Sequence, residues 1–222
     1  MMELNDRQIL VLTGLAGIVG SVLVCTGEFM LHYDPLVRYG QGFDFFKGVT
    51  ESQATTGHFF GVLGGPFYLL GTWHLYRMLR PANRFWAFLA FLIMSYGFMI
   101  GAVWIGSRAN VAYLVSTMSE DALGSALALY ELRYESLLTL VRIAVLGFSI
   151  IFVWLSLTGR SAYPRWMAIL NPILLIIVSF VIFVIAPGVG KYLMPIALNV
   201  AFMIVFSVST LIVIRSKQGE LY

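Results

Sequence analysis

Long apolar blocks alternate with short polar connections along the whole chain. Six blocks hold almost no charged side chain, and they cover about residues 8–31, 57–78, 85–106, 136–158, 166–186 and 192–214. A helix of about 20 apolar residues crosses the roughly 30 Å of hydrocarbon in a bilayer. The pattern therefore predicts an all-α fold, a polytopic integral membrane bundle of six transmembrane helices that forms a single domain over residues 1–222.

The composition agrees with a membrane protein. Of the 222 residues, 59% are hydrophobic and only 11% are charged, whereas soluble domains carry about 25% charged residues. The net charge of +3 does not indicate a nucleic-acid partner, because the basic residues lie between the apolar blocks. The single cysteine, Cys25, excludes an intrachain disulfide and a cysteine metal cluster. No small-x-small cleavage site follows the first block, which favours a retained span over a signal peptide.

The distribution of basic residues predicts that both termini are cytoplasmic. Eight lysines and arginines fall at the termini and in the second and fourth connections, five fall on the opposite side, and Arg142 lies within a block. Positive residues concentrate on the cytoplasmic side of membrane proteins. The two long connections, 32–56 and 107–135, therefore face outward. The first is either a folded cap or an interfacial loop. The second should contain helix, which either projects outward or breaks near Gly124.

Small residues mark positions where helices should pack closely. Gly14, Gly17 and Gly20 are suitably spaced in the first block, and Gly97 and Gly101 are four apart in the third. Such spacing lets helix backbones approach each other in lipid.

Polar residues of several blocks converge near the outward side and predict a pocket there. The candidate lining residues are Glu28, His32, His58, Glu131, Glu135 and Arg142. Glu28 and His32 are four apart and share a helix face. Glu131 and Glu135, just before the fourth block, and Arg142 within it are spaced to form one stripe of a helix.

Arg142 is the strongest signal in this set, because an arginine within a span costs a few kcal/mol unless it finds a partner or water. Glu28 is the expected partner and Glu135 the alternative. The pair would either fix the helix register or leave Arg142 to hold an anionic or carbonyl group of a ligand.

Enzyme chemistry remains open but has little support. The glutamates and histidines offer nitrogen and oxygen donors that zinc would accept, although no metal and no cofactor is assigned. Glu28 and His58 could act as an acid–base pair if they lie close together. His74 lies about 24 Å from His58 along the same helix and is interpreted as an interfacial histidine. Nucleophile, phosphate-loop and Rossmann motifs are absent from the sequence.

The second block also carries a resemblance. It contains Gly57-His58-Phe-Phe-Gly61 and then Pro66-x-Tyr68-x-x-Gly71-x-Trp73-His74-x-Tyr76. On these residues and the acidic end of the first block, the first half of the chain resembles an uncharacterised family of bacterial multi-spanning membrane proteins. That family has no assigned activity, so the resemblance implies a bacterial inner-membrane location and no catalytic residue.

Three functional hypotheses follow from the sequence. The first is binding or transport of a small amphiphilic or anionic ligand in a polar pocket on the extracytoplasmic side. The second is a membrane-embedded enzyme that acts on a lipid-like substrate by Glu/His acid–base or metal chemistry. The third is a structural membrane protein with a buried Arg–Glu pair. The expected partners are the lipid bilayer and the small ligand, and no nucleic acid is expected.

Overall fold

Helix is the only regular secondary structure in the residues that the structure, a computed structural model, describes, which are 5–39, 42–118 and 120–216. Short 3₁₀ segments join the helices at Asp44–Gly48, Arg165–Leu170 and Met194–Ile196. The α-helices within these ranges are α1 (Asp6–His32), α2 (Glu51–Leu79), α3 (Arg84–Thr117), α4 (Glu120–Leu157), α5 (Pro172–Ile185), α6 (Pro187–Leu193) and α7 (Ala197–Arg215).

Four helical segments are long and apolar enough to cross a bilayer, which indicates a membrane protein. They are Asp6–His32, Arg84–Thr117, Leu127–Leu157 and Pro187–Arg215, the last comprising α6, a 3₁₀ turn and α7. Helix α2 is also long, but it is less apolar because histidines, glycines and other polar residues interrupt it. Six helical regions therefore match the six predicted blocks, and four of them meet the requirements for a span.

The fifth block differs most from its prediction. The predicted span 166–186 divides into the 3₁₀ segment Arg165–Leu170 and helix α5, which has 14 residues. A new helix starts here because the Asn171 side chain accepts a hydrogen bond from the Leu174 amide and Pro172 occupies the first helical position. At 1.5 Å per residue α5 is about 21 Å long, shorter than the roughly 30 Å of a hydrocarbon core.

Helices α1 and α2 pack with their backbones in contact, because glycines face each other along the interface. A Cβ atom added to Gly20 would lie 2.9 Å from the Tyr68 amide nitrogen, and one added to Gly27 would lie 2.5 Å from the Gly57 carbonyl oxygen. Both distances are too short for any side chain. The close packing predicted for Gly20 is thus confirmed, and the same interface also holds Gly17, Gly57, Gly64 and Gly71.

Helices α3 and α4 extend well beyond their apolar blocks. Helix α3 continues to Thr117, and α4 runs without interruption from Glu120 to Leu157, so the predicted helix in 107–135 is confirmed and the proposed break at Gly124 is wrong. Close packing is confirmed for Gly97, whose added Cβ would lie 2.9 Å from the Ala144 methyl group of α4. Gly101 has open space instead.

The connection after α1 forms a folded cap, defined here as residues 33–39 and 42–50. The carboxylate of Asp34 accepts hydrogen bonds from the Leu36 and Arg38 amides and binds the Arg38 guanidinium at 2.8 Å. The side-chain hydrogen bond from Arg38 lowers the pKa of Asp34 below its ordinary value. Phe45 and Phe46 are buried against the bundle. Of the two sequence interpretations, the folded cap is confirmed.

The opposite end of the bundle is held by a buried polar cluster around His74. The Nδ1 atom of His74 lies 2.8 Å from the Leu10 carbonyl, and its Nε2 atom lies 2.6 Å from the Ser209 hydroxyl. Because a carbonyl only accepts, Nδ1 donates and Nε2 accepts from Ser209. The Tyr163 hydroxyl in turn lies 2.7 Å from Ser209. The prediction of an interfacial His74 is therefore wrong.

Candidate functional site

A cavity of about 610 Å³ lies between the helices next to the cap. Helices α1 to α5, the cap and the start of α7 all contribute to its wall, which is mostly apolar. Small residues make room for it, because an added Cβ at Gly65 or Gly101 would meet no atom within 4 Å. The cavity therefore exists where α2 and α3 lack side chains.

Glu28 is the centre of the polar end of the cavity. Its side chain is buried, and its Oε1 atom accepts a hydrogen bond from Arg108 Nη1 at 3.1 Å. Its Oε2 atom accepts from the Asn199 amide, whose oxygen in turn accepts from the Tyr68 hydroxyl at 2.5 Å. Helices α1, α3 and α7 thus meet at one carboxylate, and α2 is linked to it through Asn199. The predicted pairing of Glu28 with Arg142 is wrong.

Arg108 was missed because it lies just past the apolar part of the third block. Helix α3 continues through it, which places Arg108 one turn after Trp104 on the same helix face. Its guanidinium lies over the Trp104 ring at 4.5 Å and over the Phe46 ring at 5.9 Å. Asn199 was also missed, although a lone amide within the sixth apolar block was a visible signal.

Arg142 has the alternative partner that the sequence suggested. Its Nη1 atom lies 3.7 Å from Glu135 Oε2, and the two side chains are 64% and 53% exposed. Exposed pairs of this kind contribute little to stability, about 1 kcal/mol or less. Arg142, Glu131 and Glu135 all line the cavity. Within the described residues Glu131 has no ion-pair partner.

The two candidate histidines occupy different places. His32 lines the cavity, and its ring lies 4.8 Å from that of Phe45. His58 is not part of the wall, and its ring lies 5.3 Å from that of Phe59. Five of the six candidates therefore line one cavity in the described part of the chain, and His58 does not.

The described residues do not assemble the enzyme chemistry that the sequence left open. Glu28 has Arg108 and Asn199 as its hydrogen-bond partners, so the Glu28–His58 acid–base pair is not formed. No group of three histidine, cysteine, aspartate or glutamate side chains in these ranges could hold a metal ion.

Several buried nitrogens at the polar end have no hydrogen-bond partner among the described residues. They are Nε and Nη2 of Arg108, Nε1 of Trp104 and Nδ1 of His32. Arg108 is fully buried. Buried polar groups without partners are uncommon in folded proteins and costly.

The chain was also compared with known proteins. It belongs to DUF6796, a family of unknown function. The family model matches residues 4–216, so the predicted relation to an uncharacterised family extends over nearly the whole chain. No curated protein and no solved structure matches it.

DUF6796 is a family of unknown function, so a function for this protein can be inferred only from the chemistry of the cavity. Small-molecule sites are usually concave and mostly apolar, with a few polar groups that orient the ligand, and they enclose about 300–1,000 Å³. The cavity has each of these properties. Its polar groups lie at one end, around Glu28, and its apolar wall continues along Met94, Val141 and Ile173.

Proposed function

We propose that the protein binds a small amphiphilic molecule in this cavity. The observation that carries the proposal is a space of about 610 Å³ with apolar walls and one polar end. An amphiphile has the matching distribution, because its hydrocarbon chain would lie along the apolar wall and its head near Glu28. Burial of hydrocarbon stabilises such a complex by roughly 25 cal/mol per Å² of apolar surface removed from water.

The charges around the cavity favour a neutral head over an anionic one. The charge of Arg108 is balanced by Glu28 at 3.1 Å, and Arg142 is shared with Glu135. Glu131 adds a further negative charge to the wall. An anionic head would therefore meet excess negative charge, which argues against Arg142 as an anion anchor.

The packing supports binding more than passage through the bundle. Beyond the polar end, the interior is filled by large side chains such as Phe202 and Phe206, and then by the cluster around His74. A transport path would require these groups to separate. We place the cavity on the extracytoplasmic side of a bacterial inner membrane, with both termini cytoplasmic, and the distribution of basic residues supports this orientation.

Binding can be tested by filling the cavity. Gly101→Leu places a side chain in open space within the wall. Gly124→Leu is a matched control on α4, because an added Cβ there also meets no atom within 4 Å and Gly124 is not part of the wall of this cavity. The protein in detergent micelles is titrated with dodecanol, dodecanoate or dodecylamine, and complexes are counted by native mass spectrometry.

The wild type and Gly124→Leu should each retain one molecule of dodecanol per chain, whereas Gly101→Leu should retain none. If none of the three probes binds the wild type, or if Gly101→Leu binds as well as the control, the cavity is not a ligand site.

A further inference from the structure

The unpartnered nitrogens at the polar end of the cavity point to a group that the folded chain itself does not supply. Arg108 is fully buried, yet among the described residues its only hydrogen bond is that from Nη1 to Glu28. Leaving a buried donor without a partner destabilises the fold, and more so where the group is charged. An oxygen atom that accepts hydrogen bonds from Arg108 would remove this cost.

Trp104 supplies a second donor in the same place. The guanidinium of Arg108 lies over its ring, and Trp104 Nε1 likewise has no partner among the described residues. An indole N–H can only donate, so it also requires an acceptor. The two residues therefore present unpartnered N–H groups from one face of α3, and Trp104 is part of the cavity wall.

His32 supplies the opposite kind of group. Its Nδ1 atom is buried and has no partner among the described residues. A neutral imidazole carries its hydrogen on one nitrogen only, and in the tautomer with the hydrogen on Nε2 the Nδ1 atom presents a lone pair. In that tautomer His32 takes a hydrogen-bond donor at the same end of the cavity where Arg108 and Trp104 require an acceptor.

We propose that Arg108, Trp104 and His32 form a headgroup subsite of the cavity that takes a hydroxyl group. This inference rests on the proposed function and specifies its ligand as a neutral amphiphile with an alcohol head. A hydroxyl accepts and donates at one atom. Its oxygen accepts from Arg108 or Trp104, and its hydrogen is donated to Nδ1 of His32.

Other head groups satisfy only part of the subsite. A carboxylate has no hydrogen for His32 and adds a negative charge beside Glu28. An ammonium group has no lone pair for Trp104 and lies close to the positive charge of Arg108. An ether accepts from Trp104 but cannot donate to His32. Long-chain alcohols and the free hydroxyls of lipid headgroups share the required chemistry.

The cap covers the subsite in this conformation. Phe46 lies over the Arg108 guanidinium at 5.9 Å, and the rings of Phe45 and Tyr39 lie 4.8 and 5.3 Å from that of His32. The unpartnered nitrogens are not exposed to solvent. A head group reaches them when these cap rings move aside, so the cap and the ligand head occupy adjoining positions.

The decisive measurement compares two probes that differ only in whether the oxygen carries a hydrogen atom or a methyl group. Dodecanol and dodecyl methyl ether are titrated against wild type, His32→Phe, Trp104→Phe and the control Trp154→Phe by native mass spectrometry. Trp154 lies on α4 and is not part of the cavity wall. Phenylalanine at position 32 keeps the ring contacts with the cap and removes the nitrogen.

The wild type and Trp154→Phe should bind dodecanol about tenfold more tightly than the ether, as expected for one hydrogen bond. His32→Phe should lose this preference, and Trp104→Phe should weaken both probes about fivefold while the preference remains. Circular dichroism and size-exclusion chromatography check that each variant is folded. The comparison of dodecanol with the ether on the wild type tests the subsite even if a variant does not fold.

The outcomes separate the two proposals. If the wild type binds the alcohol and the ether equally, the unpartnered nitrogens form their hydrogen bonds with water and not with the ligand. This result would overturn the hydroxyl subsite and leave the cavity proposal standing. A preference that persists in folded His32→Phe overturns the role of His32. If neither probe nor dodecanoate nor dodecylamine binds the wild type, the proposed function itself fails.

Discussion

Replacing Glu28 by glutamine should destabilise the protein severely, because it leaves a buried arginine without its counter-charge. Glutamine has nearly the shape of glutamate, so packing around position 28 is preserved. Arg108 is 0% exposed and its Nη1 atom is 3.1 Å from Glu28. Glutamine keeps one of the two carboxylate oxygens and has an NH₂ group in place of the other. That NH₂ group would face the N–H donor of either Arg108 or Asn199, so the two hydrogen bonds that the carboxylate accepts would not both be kept.

The expected size of this effect follows from the geometry. Two unit charges 3.1 Å apart attract each other by about 5 kcal/mol at an effective dielectric constant of about 20. Breaking a buried pair from one side typically costs about 3–5 kcal/mol, whereas replacing both charges with apolar groups is often neutral. The double variant Glu28→Gln/Arg108→Met should therefore lose less than half of what Glu28→Gln loses alone.

Unfolding free energies measured by SDS titration of the micelle-embedded protein, followed by circular dichroism, check this prediction. The matched control is Glu135→Gln, which breaks the exposed pair with Arg142 and should cost less than about 1 kcal/mol. If Glu28→Gln is no more destabilising than Glu135→Gln, or if the double variant is worse than the single one, the pair is not buried as described.

Two further predictions concern the frame around the site. Gly27→Ala should destabilise the protein, because the added Cβ atom would lie 2.5 Å from the Gly57 carbonyl oxygen. The control Gly124→Ala should be neutral or should stabilise the protein by up to about 1 kcal/mol. Thermal unfolding compares the two variants, and equal melting temperatures would contradict the backbone contact. The lowered pKa of Asp34 means that its ion pair stabilises the cap above the unfolded-state pKa of about 3.9, and that this contribution is lost as the pH falls through the folded-state value. Asp34→Asn should therefore be less stable than the wild type at neutral pH, and its stability should fall less than that of the wild type between about pH 5 and 3. Thermal unfolding measured across this pH range checks the prediction, and a profile identical to that of the wild type would refute the role of Asp34.

The apolar blocks were sufficient to predict the helices but not where the helices end. Length and hydropathy define where a chain can cross a bilayer, and each block does correspond to helix. Backbone hydrogen bonds do not require apolar side chains, however, so α3 continues to Thr117 and α4 begins at Glu120. Conversely, Asn171 and Pro172 start a new helix within an apolar run. Local capping thus overrode hydropathy in the fifth block.

The sequence was sufficient to predict the region of the candidate site, but not which charged side chains form ion pairs within it. The spacing of Glu28 and His32 on α1, and of Glu131 and Glu135 on α4, correctly places them on faces that point to one cavity. The partner of Glu28 depends on which helices are neighbours and on their rotation, which no local pattern encodes. Arg142 had the stronger sequence signal because it lies deeper in an apolar block, yet Arg108 is the more deeply buried residue.

The position of Arg108 connects the cap to the cavity. Its guanidinium lies over the Phe46 ring of the cap and over the Trp104 ring of the cavity wall, and it binds the carboxylate that α7 also contacts through Asn199. Any motion that lifts Phe46 removes an aromatic contact from a buried charge, which is costly unless another group replaces it. A ligand hydroxyl at the unpartnered nitrogens would be such a replacement. We therefore expect the residue that stabilises the bundle through Glu28 also to make opening of the cap more favourable when a ligand hydroxyl binds.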